Sequence, residues 1–581
     1  STSVGGITGA VTLVNMNIGG VYYAYQLATG NFAGSLVGGT ISGTSVTDSG
    51  LTSGRVPIAG TGGLLGDSSN LTFNTTTGML TIANITAPVG RTATYVVAAS
   101  DAPAHVKAQA DFVCNGAPSN NDDVEINAAI NALSVGRTWK ETVKCSGNFT
   151  NSASIVLPSY TSLDLTEARL ALANNSNCDM IQTNGQYIDI VGGVLYGNGA
   201  SQAGGFGISV DTSSNVGIHN SRIDSSCSHS FLVVDSSNVI LESIVGNSRG
   251  GSPIDIENSS FVAVLFPTID QVAAVGNSPG IHILLGSIDI NIVGGKLSNF
   301  LNGGMGVTSS SSCQRVKIDG TSITTTVGGG AGIQNDTSYG STVNCQADNV
   351  SGDAFAVSAG VIAGKMIGNT ANNCSAGLSA EGAGIVMVGN TIINCFTGIA
   401  GYNLKNSTVQ GNYVRGSTNL YQLWFYGASQ NNTVIGNSFM NGAGWGALDQ
   451  DTSDYNTFIG NTFNGNTFGS IFTTGVHDSI IANTIAGAVT APITNIVRAN
   501  IGYVTENSGT ATMLINTGAI IVNHGLATTP TRVVVTMTSD PGLAVSTWAD
   551  TYGVSSFTIH TSTNVTAATT FDWRAWIGEG N

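Results

Sequence analysis

From about residue 200 onward the chain repeats one short phrase: a small residue, then apolar, variable, apolar, variable, usually followed by Ser, Asn or Gly. Copies read GISVD from Gly207, FLVVD from Phe231, PIDIE from Pro253, GIHIL from Gly280 and GMGVT from Gly304. Later copies are AFAVS from Ala354, GLSAE from Gly377, GIAGY from Gly398 and QLWFY from Gln422. The fifth residues are Asp211, Asp235, Glu257, Leu284, Thr308, Ser358, Glu381, Tyr402 and Tyr426, at steps of 24, 22, 27, 24, 50, 23, 21 and 24. The step of 50 is two repeats, with Gly332 to Asp336 as the less regular middle one. Alternation with a period of two marks each phrase as a short strand with one buried face.

A second phrase keeps the same spacing and ends on Asn369, Asn390, Asn412, Asn437 and Asn461. Each repeat therefore holds at least two strands, and one repeat cannot bury its apolar side alone, so repeats must stack. The recurring Asn predicts a ladder of side-chain amides bonded along the stack. Helical solenoids need amphipathic runs of period 3.6, and leucine-rich repeats need a Leu and Asn skeleton; both are missing. The expected fold is all-β: one right-handed parallel β-helix of about 12 to 15 coils.

One convincing helix precedes the coils, at about residues 121–134, with Asn121 or Asp122 as cap, acidic residues in its first turn, and Val124, Ile126, Ala129, Ile130 and Leu133 as its apolar face. The open end of a β-helix needs such a lid. Asp122, Asp123, Ile126, Ala129 and Ile130, placed just before a coil array, resemble the start of the pectate-lyase-like superfamily found in phage tail spikes and polygalacturonase-like enzymes. The resemblance covers about Asp111 to Thr490. Gly54 to Ile82 looks like the Gly-rich shaft of phage tail fibres, and the alternating segment from Gly509 through FDWRAW reads as a small β-sandwich similar to C-terminal modules that trimerise or bind sugar. The expected domains are a shaft or connector at 1–95, the capped β-helix at 96–500 and the sandwich at 501–581.

Composition narrows the function. Charged residues are only 9% and the net charge is −16, with 18 Lys and Arg in all, so binding to a phosphate backbone is excluded. No apolar run of about 18 residues predicts a membrane span. The eight cysteines show no metal-site spacing, and free buried thiols are the expectation; Cys374 and Cys395 end similar phrases and are expected to stack, and Cys114 and Cys145 are a second neighbouring pair.

Aligned phrases put every second side chain in outward columns, which brings Asp235, Asp255, Glu257 and His282 into one expected cluster. Glycoside cleavage needs one protonated carboxyl for the leaving oxygen and one ionised carboxylate to attack or to activate water. Asp255 and Glu257 are the first choice for that pair, then Asp235, with His282 as base or orienter. Arg249, in the turn just ahead, suits a uronate or sulfate. Asp211 and Asp235 each precede Ser-Ser-Asn and equally suit Asx turns. Tyr402, Trp424 and Tyr426 stand farther along the columns, either to stack on sugar rings or to form a subunit interface; Trp548, Trp573 and Trp576 are assigned to core or interface.

The resemblance implies a polysaccharide-degrading glycoside hydrolase of a phage tail, extracellular and homotrimeric, joined at its N-terminus to a tail or baseplate protein, and needing no cofactor. A secreted enzyme would share the middle domain. A polysaccharide lyase is the second reading, with Arg249, His282 or a Lys as base and Ca²⁺ on the acidic column. A non-enzymatic glycan-binding tail protein is the third.

Overall fold

The computed structural model describes residues 16–18, 21–23, 55–59, 65–74, 76–77 and 79–82, and from 94 onward all but 116–120, 272–277, 301–302, 420, 493 and 578–581. Residues 1–90 and 91–581 form two compact units. In the first, Arg55–Ala59, Leu65–Asn74 and Met79–Ile82 pair as an antiparallel three-stranded sheet. Much of the expected shaft lies outside the described residues.

The second unit is built mainly on a parallel β-helix. One coil runs through the strands Ile254–Glu257, Ser260–Leu265 and Thr268–Asp270, and the next through Ile281–Leu284, Asn291–Val293 and Lys296–Phe300. The strands pair parallel and in register, Ile254 with Ile281, Val264 with Ile292 and Ile269 with Leu297. The alternating Val, Ile and Leu of all three faces point inward and join one continuous core from Val97 to Ile485. One long sheet of fifteen parallel strands runs from Ile155–Pro158 to Val489–Thr490.

Buried asparagines stack beside that core. Each Nδ2 donates to the Oδ1 of the next coil: Asn369 to Asn390 at 3.0 Å, Asn390 to Asn412 at 2.8 Å, Asn412 to Asn437 at 2.9 Å and Asn437 to Asn461 at 2.9 Å. Each amide also donates to a backbone carbonyl, so a side chain that would be costly to bury unbonded is satisfied on both sides. A parallel ladder runs Asn432, Asn456, Asp478, Asn495, with an aspartate in an asparagine's place.

The lid helix spans Asp123–Asn131, and Ile126, Ala129, Ile130 and Leu133 pack into the end of the core. Two expectations are corrected here. Val124 is 52% exposed, one step off the packed stripe. No side chain caps the helix: Asp122 has helical φ and ψ, and its carboxylate accepts the Thr150 N–H at 2.7 Å while Asp123 accepts that of Ser152 at 2.7 Å, so both acids tie the lid to the first coil.

After the coils, six strands form two antiparallel three-stranded sheets over a shared core of Met513, Val522, Phe557, Ile559, Phe571 and Trp573. Trp548 is 46% exposed and stacks on His560, and Trp576 lies under Arg532 and Arg574. All eight cysteines are free; six are buried as expected, whereas Cys178 and Cys227 are half-buried, and Cys374 and Cys395 follow paired strands of neighbouring coils and donate to backbone carbonyls.

Candidate functional site

One outward column of the long sheet carries both regions of interest. Its register runs Ser209, Leu232, Asp255, His282, Thr308, Gln334, Ala356, Ser379, Ala400, Trp424. At about 4.8 Å per coil, Asp255 and Trp424 stand about 34 Å apart. Two residues on, Asp211, Val234, Glu257 and Leu284 share a register position at one end, and Glu381, Tyr402 and Tyr426 share one at the other.

Asp235 does not belong to the column in which it was expected. Phe231 pairs with Ile208, so the second phrase starts one residue earlier than a small-residue alignment implies, and Val234 takes the place opposite Asp211 and Glu257. Asp235 falls in the turn beyond, with φ +49°, where its Oδ1 accepts the Asn258 amide at 2.5 Å. That bond ties the turn to the next coil. Another phrase slips by two residues in the opposite direction, so Thr308 rather than Gly306 stands next to His282.

Asp255 keeps its place beside His282 but is only 3% exposed. The Nδ1 atoms of His229 and His282 lie 3.6 and 3.5 Å from its Oδ2, and its Oδ1 has no partner. His229 points its Nδ1 at the Ser252 carbonyl at 2.8 Å, which fixes that nitrogen as the protonated one, and its ring stacks on Phe206. His282 has 27% of its side chain exposed, and Glu257 is half-buried. Arg249 is exposed in the preceding turn. The carboxylate is thus placed to orient imidazoles, and it has almost no surface with which to meet a sugar oxygen.

Four coils on, the same face opens into a cleft of about 420 Å³ lined by Asp353, Glu381, Tyr402, Tyr426, Gln334 and Ser379, among others. Burial pushes the Asp353 carboxyl above its ordinary range, against a hydrogen bond from Ser379 that acts to lower it. Glu381 is half-buried and accepts the Asn403 amide at 3.3 Å. The Tyr426 phenol is pushed up by burial and then by the charges of Asp353, Glu381 and Tyr402. Aromatic rings continue the wall: Tyr402 and Tyr426 have centroids 4.8 Å apart, Trp424 stacks on Tyr426 at 4.1 Å, and Tyr421 meets Trp424 at 5.0 Å. Trp424 donates its Nε1 to Gln450, which lines an adjoining cleft of about 450 Å³ with Tyr421, Trp445, Phe468, Phe472 and Asp451.

Sequence reasoning placed the aromatic residues here but passed over the two carboxylates. Glu381 was within reach, since it is the fifth residue of its phrase and precedes Tyr402 and Tyr426 in one column. Asp353 stands at a corner just before its strand, where no periodicity speaks. Among the described residues Cys114, Asp122 and Glu125 form one group compact enough to hold a metal ion, at the lid. Asp122 is already bonded to Thr150, and burial holds the Cys114 thiol protonated, so the group does not offer a ready set of ligands.

Residues 314–519 match the family described as periplasmic copper-binding protein (NosD), which is well under half of the chain. That span carries a single histidine, His477, stacked on Tyr455, and its three cysteines are buried in the coil core. Those residues do not fit a copper site. No curated protein matches the chain. Among solved structures it is similar to a tailspike protein mutant of E. coli bacteriophage HK620 in complex with a pentasaccharide, at 10% identity, covering 80% of this chain and 92% of that one with a TM-score of 0.46. It is also similar to the A-module of a mannuronan C-5 epimerase from Azotobacter vinelandii, at 14% identity over 66% of this chain and 95% of that one, TM-score 0.34. The tailspike protein of Pseudomonas phage LKA1 gives 14%, 79%, 93% and 0.31. These likenesses concern the β-helix; the functional reading rests on this chain's own side chains.

Proposed function

We propose that the protein is a polysaccharide depolymerase that binds a glycan along the outward column of the long sheet and hydrolyses it in the Asp353–Glu381 cleft. One observation carries the reading: a carboxyl that burial keeps toward its protonated form shares a cleft with a half-buried second carboxylate and a wall of stacked aromatic rings. Environments that push two acids apart are how one site supplies both acid and base. Asp353 donates its proton to the glycosidic oxygen as the C–O bond breaks. Glu381 takes a proton from the attacking water, and the anomeric carbon leaves as a new reducing end. The tyrosine and tryptophan faces hold sugar rings on their apolar sides.

Glu257 and His282 extend the same face, and Asp255 acts through the imidazole beside it rather than on the sugar. That geometry favours a second reading, a lyase in which His282 removes a proton next to a uronate held by Arg249, with Ca²⁺ as an optional partner. The appendage reading, a homotrimer on a phage tail, is a proposal tested by mass in solution. Chain shortening measured on a panel of surface polysaccharides tests the activity: new reducing ends without ultraviolet-absorbing unsaturated sugars mean hydrolysis, absorbing ends mean elimination, and no shortening leaves an adhesin.

A further inference from the structure

Each cleft of the aromatic wall carries acidic groups, and among the described residues neither is lined by a Lys, Arg or His. The first carries the Glu381 carboxylate beside the Asp353 carboxyl that burial holds toward its neutral form, and the second carries Asp451, whose carboxylate accepts the Gly427 N–H. The partly buried Tyr426 phenol lines the same cleft, and after burial the acids Asp353 and Glu381 push it up. Lys405, the nearest cation along the strand that carries Tyr402, lies at its far end, opposite Ala383 and Gln430, outside both linings. The uncharged polar lining is Ser, Gln and Thr, set among aromatic faces and small or aliphatic residues such as Ala356, Val357 and Leu448, which together bond hydroxyls and amides and pack on sugar rings.

A sugar carboxylate entering here would meet like charge in a partly desolvated place with no donor of positive charge to pair with, and like charge across an interface is what rejects a wrong partner. Resting on the depolymerase reading above, we infer that the segment bound across Tyr402, Tyr426 and Trp424 is an uncharged stretch of polysaccharide, of neutral or N-acylated hexoses, and not a uronan. The two ends of the sheet then differ in kind. At the other end the imidazoles of His229 and His282 flank Asp255, and Arg249 is exposed in the turn before that strand, so an acidic sugar of a mixed repeat finds donors there and none of that kind in the cleft.

The test measures binding of the full chain to galactomannan, dextran and chitin oligomers on one side and to polygalacturonate and alginate on the other. Tryptophan fluorescence and gel retardation give the readouts, at low and at high salt. At low salt at least one neutral polymer is held about tenfold or more tighter than either uronan, and its affinity changes little with salt because no ion pair forms. The Asp353→Asn/Glu381→Gln double variant keeps neutral binding and admits uronan about tenfold more tightly. Uronan held by the unaltered chain as tightly as the best neutral polymer, and lost in Trp424→Ala or Tyr402→Ala, overturns the inference while leaving the depolymerase reading standing. Absence of binding to every polymer of both classes brings down the depolymerase reading itself, and this inference with it.

Discussion

Asp255 and Asp353 lie along the same outward sheet of the same solenoid, and they are in opposite situations. Asp255 sits mid-strand between two histidines, with one oxygen unpartnered and almost no exposed surface. Asp353 sits at a corner, opens on a cleft and has its acidity weakened by burial. A column of outward positions therefore says which residues share a face and nothing about depth: bulky neighbours close over one carboxylate, while the small side chains Ala356, Ser379 and Ala400 leave room beside the other. The first is suited to holding an imidazole, the second to meeting a glycosidic oxygen.

The sharpest way to break that comparison is to neutralise each end in turn. Asp353→Asn and Glu381→Gln are each expected to cut depolymerisation by about 10² to 10⁴-fold, the usual worth of a general acid or base, with unchanged melting. Asp255→Asn and Glu257→Gln should cost far less. The reverse order, read from initial rates on a verified substrate, would move the scissile bond to the His282 end.

Next in size is the ladder that holds the clefts in register. Asn437→Ala removes the amide that donates to Asn461 and to the Val409 carbonyl and the Oδ1 that receives both Asn412 donors, and leaving such groups buried and unbonded costs about 1–3 kcal/mol. A melting temperature within a degree of the unaltered protein would show that the ladder is ornamental to stability.

The second ladder supplies a pH test. Asp478 donates its backbone N–H to Asn495 and accepts from Thr473 and Asn456, and burial pushes its carboxyl up to about 6. Burial, then the adjacent Asp478, raises Asp449 well above the ordinary range as well. A carboxyl raised in the folded state favours folding fully below its unfolded value of about 4, and that contribution is lost as the pH rises through about 6. Asp478→Asn, which restores the ladder residue, is expected to gain melting temperature relative to the unaltered chain at pH 7 and much less at pH 4. An equal difference at both pH values would mean that the pair does not titrate in this window.

Smaller effects separate the aromatic wall from the turns. Trp424→Ala removes two ring contacts worth about 0.5–1.5 kcal/mol each and should weaken polymer binding by about tenfold with a smaller change in kcat. If subunit mass falls instead of affinity, the wall is an interface. Asp235→Ala, which loses one exposed turn bond to Asn258, should shift melting by a degree or two and leave activity alone.

Much of this was legible in one dimension. A phrase of period two recurring every 21 to 27 residues can bury its apolar side only by stacking on copies of itself, and the parallel coils, the inward Val, Ile and Leu and the asparagine ladder all follow from that spacing. Tyr402 and Tyr426 were placed side by side on the same ground, because alternation decides the face of a strand. The lid helix was readable from its apolar stripe, although its acids turned out to tether and not to cap.

Tertiary structure alone decided three things. Whether a phrase begins at its small residue or one place earlier is settled by strand pairing, and one step took Asp235 out of the column and into a left-handed turn. Whether an outward residue reaches solvent depends on what the coils above and below carry, which is why Asp255 lies covered between His229 and His282. Corner residues such as Asp353 obey no periodicity, so their direction comes from the packed turn and is invisible to a pattern read along the chain. Period and alternation are properties of neighbours in sequence, whereas depth, corner geometry and the shift of an acid's pKa are set by residues one coil, some 21 to 27 positions, away.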